Sequence, residues 1–188
     1  MKLLPVTMYG DKILRKKMDR LNEVDNETIE LVTNMFDTMR NASGIGLAAN
    51  QVGANKAIFI VDISLVEGYE DSKPMVFINP TIVKHSDEQT LFEEGCLSIP
   101  DIRADVERPE SIIIKYYDTD LKEHTLDVDN LMARVIQHEY DHLQGILFTD
   151  LVDDETKQRL KSPLKKIKKR KIDVAYPISE TVDYQLVM

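Results

Sequence analysis

The sequence predicts an α+β fold in which the sheet is largely antiparallel. Short, apolar runs rich in β-branched residues fill the middle of the chain, at 56–63, 75–84, 102–107 and 111–117. Too little helix separates these runs for repeated βαβ units, which argues against a parallel sheet. The clearest helix comes after them and contains residues 138–142, which read His-Glu-Tyr-Asp-His.

Length and composition favour one folded domain. The chain has 188 residues, of which 43% are hydrophobic and 30% are charged, so it can bury a core beneath a polar surface. The formal net charge of -9 argues against nucleic-acid binding over the whole surface. We expect a single domain over 1–188 that includes a basic segment at 157–171 and a variable tail at 172–188.

Cysteine usage and hydropathy predict the compartment. A single cysteine excludes an internal disulfide framework. The first residues contain no apolar stretch of signal-peptide length, and charges interrupt the chain too often for a transmembrane helix. We therefore expect a cytoplasmic protein with no membrane partner.

The first elements along the chain are an irregular arm, over 1–23, and a helix. Asp25 is a typical N-cap residue, and apolar side chains recur at helical spacing after it. Gly44 lies just beyond the end of this pattern, where a helix would stop. The sequence predicts a helix over 25–41, followed by the strands.

A second helix is predicted after the strands. Asp127 can cap it, and Gly145 lies where it ends. Its apolar stripe runs at helical spacing through Val128, Leu131, Met132 and Val135.

Beyond this helix the pattern weakens. The stretch 146–152 has the composition of a strand, whereas 154–171 is helix-prone and basic, with Pro163 predicted to break or kink it. The tail at 172–188 alternates weakly and predicts either a strand or disorder.

Residues 138–142 have the spacing of a metal-binding motif. On a helix, positions i and i+4 share a face, so His138 and His142 can reach one cation. Both histidines extend the apolar stripe at spacings of three and four and therefore point inward. The alternative interpretation is a helix with two buried, hydrogen-bonded histidines.

A catalytic metal site needs a third protein ligand and one open position. Upstream, Cys96 follows Glu-Glu-Gly, and a thiolate binds zinc or ferrous iron strongly. By itself, a lone cysteine is also compatible with a small buried apolar residue. The downstream candidates are all acids: Asp150, Asp153, Asp154 and Glu155.

A third stretch, from Gly44 to Gly53, combines small residues with the side-chain amide of Gln51. Small residues allow another backbone to approach closely. The stretch lacks the spacing of a phosphate-binding loop, and alone it is a weak signal.

Together, the three stretches resemble the peptide deformylase family. That family carries Gly-x-Gly-Leu-Ala-Ala-x-Gln, then Glu-Gly-Cys-Leu-Ser, then His-Glu-x-x-His, and the chain has them in that order at 44–51, 94–98 and 138–142. The resemblance covers about residues 1–150. It implies antiparallel β-sheets packed around a central metal-binding helix. The implied function is removal of the N-formyl group from the formylmethionine of newly synthesised polypeptides, with release of formate.

The resemblance also implies the metal ligands and the proton carrier. Cys96, His138 and His142 would hold one divalent ion, and Glu139 would carry a proton from water to the leaving amine. Ferrous iron is the implied physiological ion, and Zn2+, Ni2+ or Co2+ can also suit such ligands. A ferrous site with a thiolate ligand should be sensitive to oxygen.

The resemblance assigns oxyanion stabilisation to the side-chain amide of Gln51 and the backbone N–H of Leu97. Asp141 is expected to support the ligating histidines from behind. Whether Asp141 bonds a histidine, Arg103 or Arg108 is left open by the sequence, with Arg103 carried forward as the supporting arginine.

A substrate peptide is expected to lie extended along exposed backbone, because main-chain hydrogen bonds tolerate any sequence. The backbone candidates are Ile45, Gly46 and the strand residues Glu94 and Gly95. The candidates for an apolar pocket around the methionine side chain are Ile45, Leu131 and Val135, for which ordinary core packing is the alternative.

Two rival functions remain at this stage. A metallopeptidase could use the same His-Glu-x-x-His helix with another third ligand, and a catalytically idle, ribosome-binding homologue could keep the fold without turnover. The basic segment at 157–171 is expected either to dock on ribosomal RNA or to be a solvated helix face.

Overall fold

The computed structural model describes residues 2–186 and confirms an α+β fold built on antiparallel sheet. The described helices are α1 (Asn26–Asn41), α2 (Asn130–Leu143), α3 (Phe148–Leu151) and α4 (Asp154–Lys168). The described strands are β1 (Gly46–Ala48), β2 (Ile58–Val61), β3 (Met75–His85), β4 (Gln89–Cys96), β5 (Ile99–Pro109), β6 (Ser111–Tyr117) and β7 (Glu123–Asp129).

These strands form two sheets. The larger has five strands in the order β1-β2-β3-β6-β7, and the smaller is the β4–β5 hairpin. Every pairing between the named strands is antiparallel. Helix α2 packs on the five-stranded sheet, whereas the hairpin packs against α3 and α4. The end of β4 contacts α2 directly, through Glu94 with His138 and Cys96 with His142.

Aromatic and β-branched side chains explain the five-stranded sheet. The Phe59 and Phe77 rings stack on neighbouring strands with centroids 4.6 Å apart, and the Tyr116 ring lies 4.4 Å from that of Phe77. All three are buried, and cross-strand aromatic pairs of this kind stabilise a sheet.

The predicted first helix is confirmed by α1. The Asp25 side chain accepts a hydrogen bond from the Thr28 backbone N–H at 2.8 Å, which satisfies one of the free donors at the helix start. The buried side chains include Leu31, Met35 and Met39, at the spacing of one helix face.

The predicted start of the second helix was wrong. Asp129, not Asp127, precedes α2, and Val128 lies in β7, where it pairs with Ile112. Strand β7 has alternating exposed and half-buried residues, so its weak apolar pattern merged with the helical stripe. Strand β4 was also missed, because half of its residues are exposed and two are charged, so it lacks an apolar run.

The C-terminal predictions need three corrections. Residues 146–152 contain the short helix α3 rather than a strand, and α4 runs through Pro163 without ending. Leu160, Leu164 and Ile167 are buried along one face of α4, and this packing outweighs the one backbone hydrogen bond that proline cannot donate. The described part of the tail is neither a regular strand nor detached, since Ile178 makes a parallel bridge with Val6.

Within residues 2–186, no helix combines the length and the apolar character needed to span a bilayer.

Candidate metal centre

Three side chains predicted as metal ligands lie together between the two sheets. One ligand atom from each of Cys96, His138 and His142 falls within 4.8 Å of the others. The Cys96 Sγ lies 3.1 Å from the His142 Nε2. Cys96 is the last residue of β4, and the two histidines lie on adjacent turns of the buried face of α2.

The orientation of His138 is set by Glu94. The His138 Nδ1 lies 2.9 Å from the Glu94 Oε2, so the other ring nitrogen is left to face the cluster. Burial lowers the pKa of His138, but the Cys96 and Glu94 side chains outweigh it and hold that pKa well above its ordinary value. The pKa of His142 is held well below its ordinary value by burial and by the charge of His138.

The chemistry of these donors fits a divalent metal ion. One thiolate and two imidazoles are ligands that zinc and ferrous iron share. Tetrahedral ligand atoms at usual bond lengths lie about 3.4–3.6 Å apart, so the observed cluster can close on an ion with small side-chain movements. Glu139 lies beside the cluster with a buried Oε2 that has no hydrogen-bond partner among the described residues.

Glu139 is placed in the site by a close contact with β1. A Cβ added to Gly46 would lie 2.5 Å from the Glu139 Oε1, so no larger residue fits there without displacing this carboxyl group. Burial raises the pKa of Glu139 to about 7, although the positive charge of His138 opposes that effect.

Gln51 and Leu97 flank the thiol. The Gln51 Oε1 accepts a hydrogen bond from the Ala48 backbone N–H at 2.8 Å, which fixes the amide. The Gln51 Nε2 then donates to the Cys96 Sγ at 3.3 Å and to the Ser98 Oγ at 3.2 Å. The side-chain amide of Gln51 therefore has its donor group at the centre of the site.

A buried ionic network supports the site from behind. The Arg108 side chain donates to Glu94 through Nε at 2.6 Å and to the Asp141 Oδ2 through Nη1 at 2.6 Å. The Arg134 Nη1 also donates to the Glu94 Oε1, at 3.0 Å. Burial would raise the pKa of Glu94, but hydrogen bonds from His138 and Arg108 outweigh it, and the pKa is strongly lowered.

The supporting arginine is Arg108 and not Arg103. Along β5 the side chains alternate between buried and exposed from Ile102 to Arg108, and this alternation puts Arg103 on the exposed face. Its charged neighbour there is Glu93, at 3.7 Å. Asp141 bonds Arg108, which answers the question that the sequence left open.

Arg134 was missed by the sequence analysis, although a signal was present. It lies four residues before His138, on the same face of α2, and only 5% of it is exposed. A charged residue on the buried face of a helix requires a partner of opposite charge, and Glu94 is that partner.

A cleft of about 860 Å³ opens over the cluster. All the predicted substrate-contacting residues line it: Ile45, Gly46, Glu94, Gly95, Leu131 and Val135. The Glu94 carboxylate, however, is fully engaged with arginine and histidine, so only its backbone is free for a ligand. Phe92 and Tyr176 also line the cleft and were not predicted.

A metal ion held by these ligands would polarise water next to a buried carboxyl group, beneath an open cleft, which is an arrangement suited to hydrolysis of a carbonyl compound. The fold and the site thus define a metal-dependent hydrolase. Residues 3–158 match the family model of polypeptide deformylase.

The match to individual relatives extends over nearly the whole chain. The peptide deformylase of Prosthecochloris aestuarii is 47% identical over 178 residues, which are 95% of each chain. That of Chlorobaculum tepidum is 44% identical over 181 residues, which are 96% of each chain.

Solved structures agree. A plant peptide deformylase gives a TM-score of 0.84 at 36% identity, with 94% of this chain and 97% of that chain covered. Peptide deformylase from Ehrlichia chaffeensis gives a TM-score of 0.81 at 33% identity, with 90% of this chain and 97% of that chain covered. The chain belongs to the polypeptide deformylase family, whose metal-dependent enzymes remove the formyl group from the N-terminal methionine of nascent polypeptides. Neither the metallopeptidase nor the idle homologue is favoured.

Proposed function

We propose that Cys96, His138 and His142 hold the divalent ion of this deformylase. The observation that carries this assignment is the convergence of one thiol and two imidazoles within 4.8 Å. The bound ion would polarise a water molecule and the formyl carbonyl, which makes water a nucleophile at neutral pH. Ferrous iron is the proposed ion in the cell, with zinc, nickel and cobalt as replacements.

Glu139 is the proposed proton carrier. It is buried beside the ligands and its Oε2 has no other partner among the described residues, so it can accept a proton from the attacking water. The water oxygen first bonds to the formyl carbon while the carbonyl electron pair moves to the formyl oxygen. When that pair returns, the carbon–nitrogen bond breaks. Glu139 passes the proton to the leaving amine, and the products are formate and a free amino terminus.

Gln51 and Leu97 are the proposed donors to the oxygen that becomes negatively charged during attack. Support comes from the Gln51 side-chain amide: its Oε1 accepts from the Ala48 N–H, and its Nε2 is directed at the Cys96 sulfur. Leu97 follows Cys96 directly and lines the cleft, so its N–H is the nearest backbone donor in the chain sequence. Such donors act mainly in the transition state, where the charge develops.

The peptide is proposed to run along the free edge of β4. Within the described chain β4 pairs with β5 on one side only, so its other edge offers backbone groups near Glu94 and Gly95. Gly46 offers backbone on the opposite side. The methionine side chain would then enter the apolar part of the cleft at Ile45, Leu131 and Val135.

The test of the ligand set is metal content together with formate release. The protein is loaded with ferrous iron, zinc or nickel without oxygen, and formate is measured from a formylated methionine peptide. Cys96→Ala should lose both metal and activity, whereas Cys96→Asp, which retains an anionic ligand, should keep part of the zinc. Full metal occupancy in Cys96→Ala would show that the third ligand is another residue.

The segment 157–171 is proposed to dock on ribosomal RNA and to bring the enzyme near emerging chains in the cytoplasm. Its lysines are exposed while Leu160, Leu164 and Ile167 are buried, so α4 presents a basic face to solvent. We also infer that 1–188 is one domain. Support comes from contacts between the two ends of the chain, where hydrogen bonds and an ion pair join the side chains of Asp11, Arg170 and Ser179.

The docking test changes charge without touching the buried face. Replacing Lys161, Lys165, Lys166 and Lys169 with glutamine should abolish co-sedimentation with ribosomes at low salt and leave formate release from a short peptide unchanged. The matched control replaces four exposed lysines outside the segment with glutamine, at positions 17, 73, 84 and 122. Equal sedimentation of both variants would assign the basic face to solvation alone.

A further inference from the structure

The chain beyond α4 forms part of the cleft wall. Asp173, Val174, Ala175 and Tyr176 line the cleft that opens over the ligand cluster. These residues lie outside the range 3–158 that the family model matches, and none of the three motifs contains them.

Hydrogen bonds on both sides hold this wall in place. Before it, the Arg170 Nε donates to the Ser179 carbonyl at 2.8 Å. After it, the Val6 N–H donates to the Pro177 carbonyl at 2.8 Å, and the Ser179 N–H donates to the Val6 carbonyl at 2.9 Å. Tyr176 therefore extends from a fixed segment of backbone.

Tyr176 contacts the hairpin end that carries the thiol. Its hydroxyl donates a hydrogen bond to the Leu97 carbonyl at 2.7 Å, and its ring packs in the same apolar cluster as Cys96 and Leu97. A half-buried hydrogen bond of this length restrains both partners.

The turn that Tyr176 contacts needs outside support. Leu97 and Ser98 form a two-residue connection between the paired residues Cys96 and Ile99. Two-residue hairpins favour turns with positive φ, yet neither Leu97 nor Ser98 is among the described residues with positive φ. The Ser98 carbonyl accepts from the Tyr9 N–H at 2.9 Å, so both carbonyl groups of the turn are held by residues outside the hairpin.

We propose that Tyr176 is a positioning residue for deformylation: by holding the Leu97 carbonyl, it restrains the Leu97 backbone and so the direction of the Leu97 N–H. This inference rests on the proposed role of that N–H as an oxyanion donor. Small displacements of a group that acts in the transition state reduce turnover more than they reduce substrate binding.

The first test is Tyr176→Phe, which removes one oxygen and keeps the ring. Removing an oxyanion donor outright costs about 10²–10³-fold in kcat, and loosening one should cost less, about 5–20-fold. We expect KM to change less than about twofold and the metal content to stay that of the wild type. The matched control is Tyr184→Phe, a change in the same tail at a ring that contacts Gly53 and does not line the cleft.

A second readout observes the turn itself. Leu97-Ser98 is the only Leu-Ser pair in the sequence, so labelling leucine carbonyl carbon with ¹³C and serine nitrogen with ¹⁵N gives a single carbonyl–amide correlation by NMR. In the zinc-loaded protein this signal should move in Tyr176→Phe, because the carbonyl loses its donor, and stay in place in Tyr184→Phe.

Three outcomes would overturn the proposal: an unchanged kcat, a change confined to KM, or a lower kcat while the Leu97 carbonyl signal does not move. Glu139→Gln tests the proposed function separately, because its loss of activity does not depend on Tyr176.

Discussion

The two sheets of this molecule bury different chemistry. The five-stranded sheet buries an aromatic stack of Phe59, Phe77 and Tyr116, whereas the β4–β5 hairpin buries the charged pair of Glu94 and Arg108. Only 5% of Glu94 and 5% of Arg108 is exposed.

Buried ion pairs contribute little net stability, because desolvation offsets their attraction. Apolar contacts would therefore stabilise the hairpin equally well. The charges instead fix the orientation of side chains, since Glu94 orients the His138 ring and Arg108 orients the Glu94 carboxylate. The comparison indicates that the five-stranded sheet contributes stability alone, whereas the charges of the hairpin also set the geometry of the site. Each of the following changes tests that division.

The largest effect is expected where geometry serves chemistry directly. Glu139→Gln keeps the shape of the side chain but removes its proton transfer, so formate release should fall about 10²–10⁴-fold. Metal content and melting temperature should match the wild type. Glu93→Gln is the control, because Glu93 also lines the cleft but is exposed and away from the ligands. Loss of metal from Glu139→Gln would make Glu139 a ligand rather than a proton carrier.

The hairpin network is the next test. Arg108→Met removes the cationic hydrogen-bond donor that Glu94 and Asp141 share. The free energy of unfolding should therefore fall by about 3–5 kcal/mol. Zinc affinity should fall about 10–100-fold because His138 loses its fixed orientation. Arg103→Met removes the same charge from the exposed face of the same strand and should change neither quantity. Chemical denaturation and zinc titration measure the two effects, and equal behaviour of the two variants would refute the division between the sheets.

A change in the five-stranded sheet should lower stability without altering the site. Phe77→Leu removes two aromatic contacts from a fully buried site and should lower the free energy of unfolding by about 1–2 kcal/mol. Under conditions where the variant is fully folded, kcat and zinc affinity should be those of the wild type. A lower kcat would show that the scaffold also sets the site geometry.

The same division explains what the sequence could predict. The first helix, the strands β2, β3, β5 and β6, and the placement of His138 and His142 on one helix face follow local rules: capping, β-branched runs and i, i+4 spacing. Strands β1, β4 and β7 and the arginine network do not, and Cys96 was assigned from the family resemblance. Arg134 is buried because Glu94, 40 positions earlier, lies opposite it, and no local pattern contains that contact. Tyr176 is a stronger case, since its hydroxyl partner lies 79 positions earlier.

The smallest effect is expected at the ion pair between Arg40, near the end of α1, and Asp62, the residue after β2. Burial would raise the pKa of Asp62, but hydrogen bonds from Ser64 and Arg40 outweigh it, and the pKa lies below its ordinary value of 3.8. The unfolded chain therefore binds a proton at Asp62 more readily than the folded chain does. The stabilisation is present above pH 3.8 and is lost as the pH falls through the lower, folded-state pKa.

Arg40 is half exposed, so solvent limits the contribution of this pair to about 0.2–1 kcal/mol. Asp62→Asn keeps the shape and removes the charge. The difference in unfolding free energy between wild type and variant should be present at pH 6 and shrink towards pH 3, with formate release at neutral pH unchanged. Asp87→Asn, at an exposed turn residue, should show no such difference at either pH. A difference for Asp62→Asn that grew on acidification would reverse the sign of the assigned pKa shift. A parallel loss of activity would show that the end of β2, assigned to stability alone, also contributes to the site.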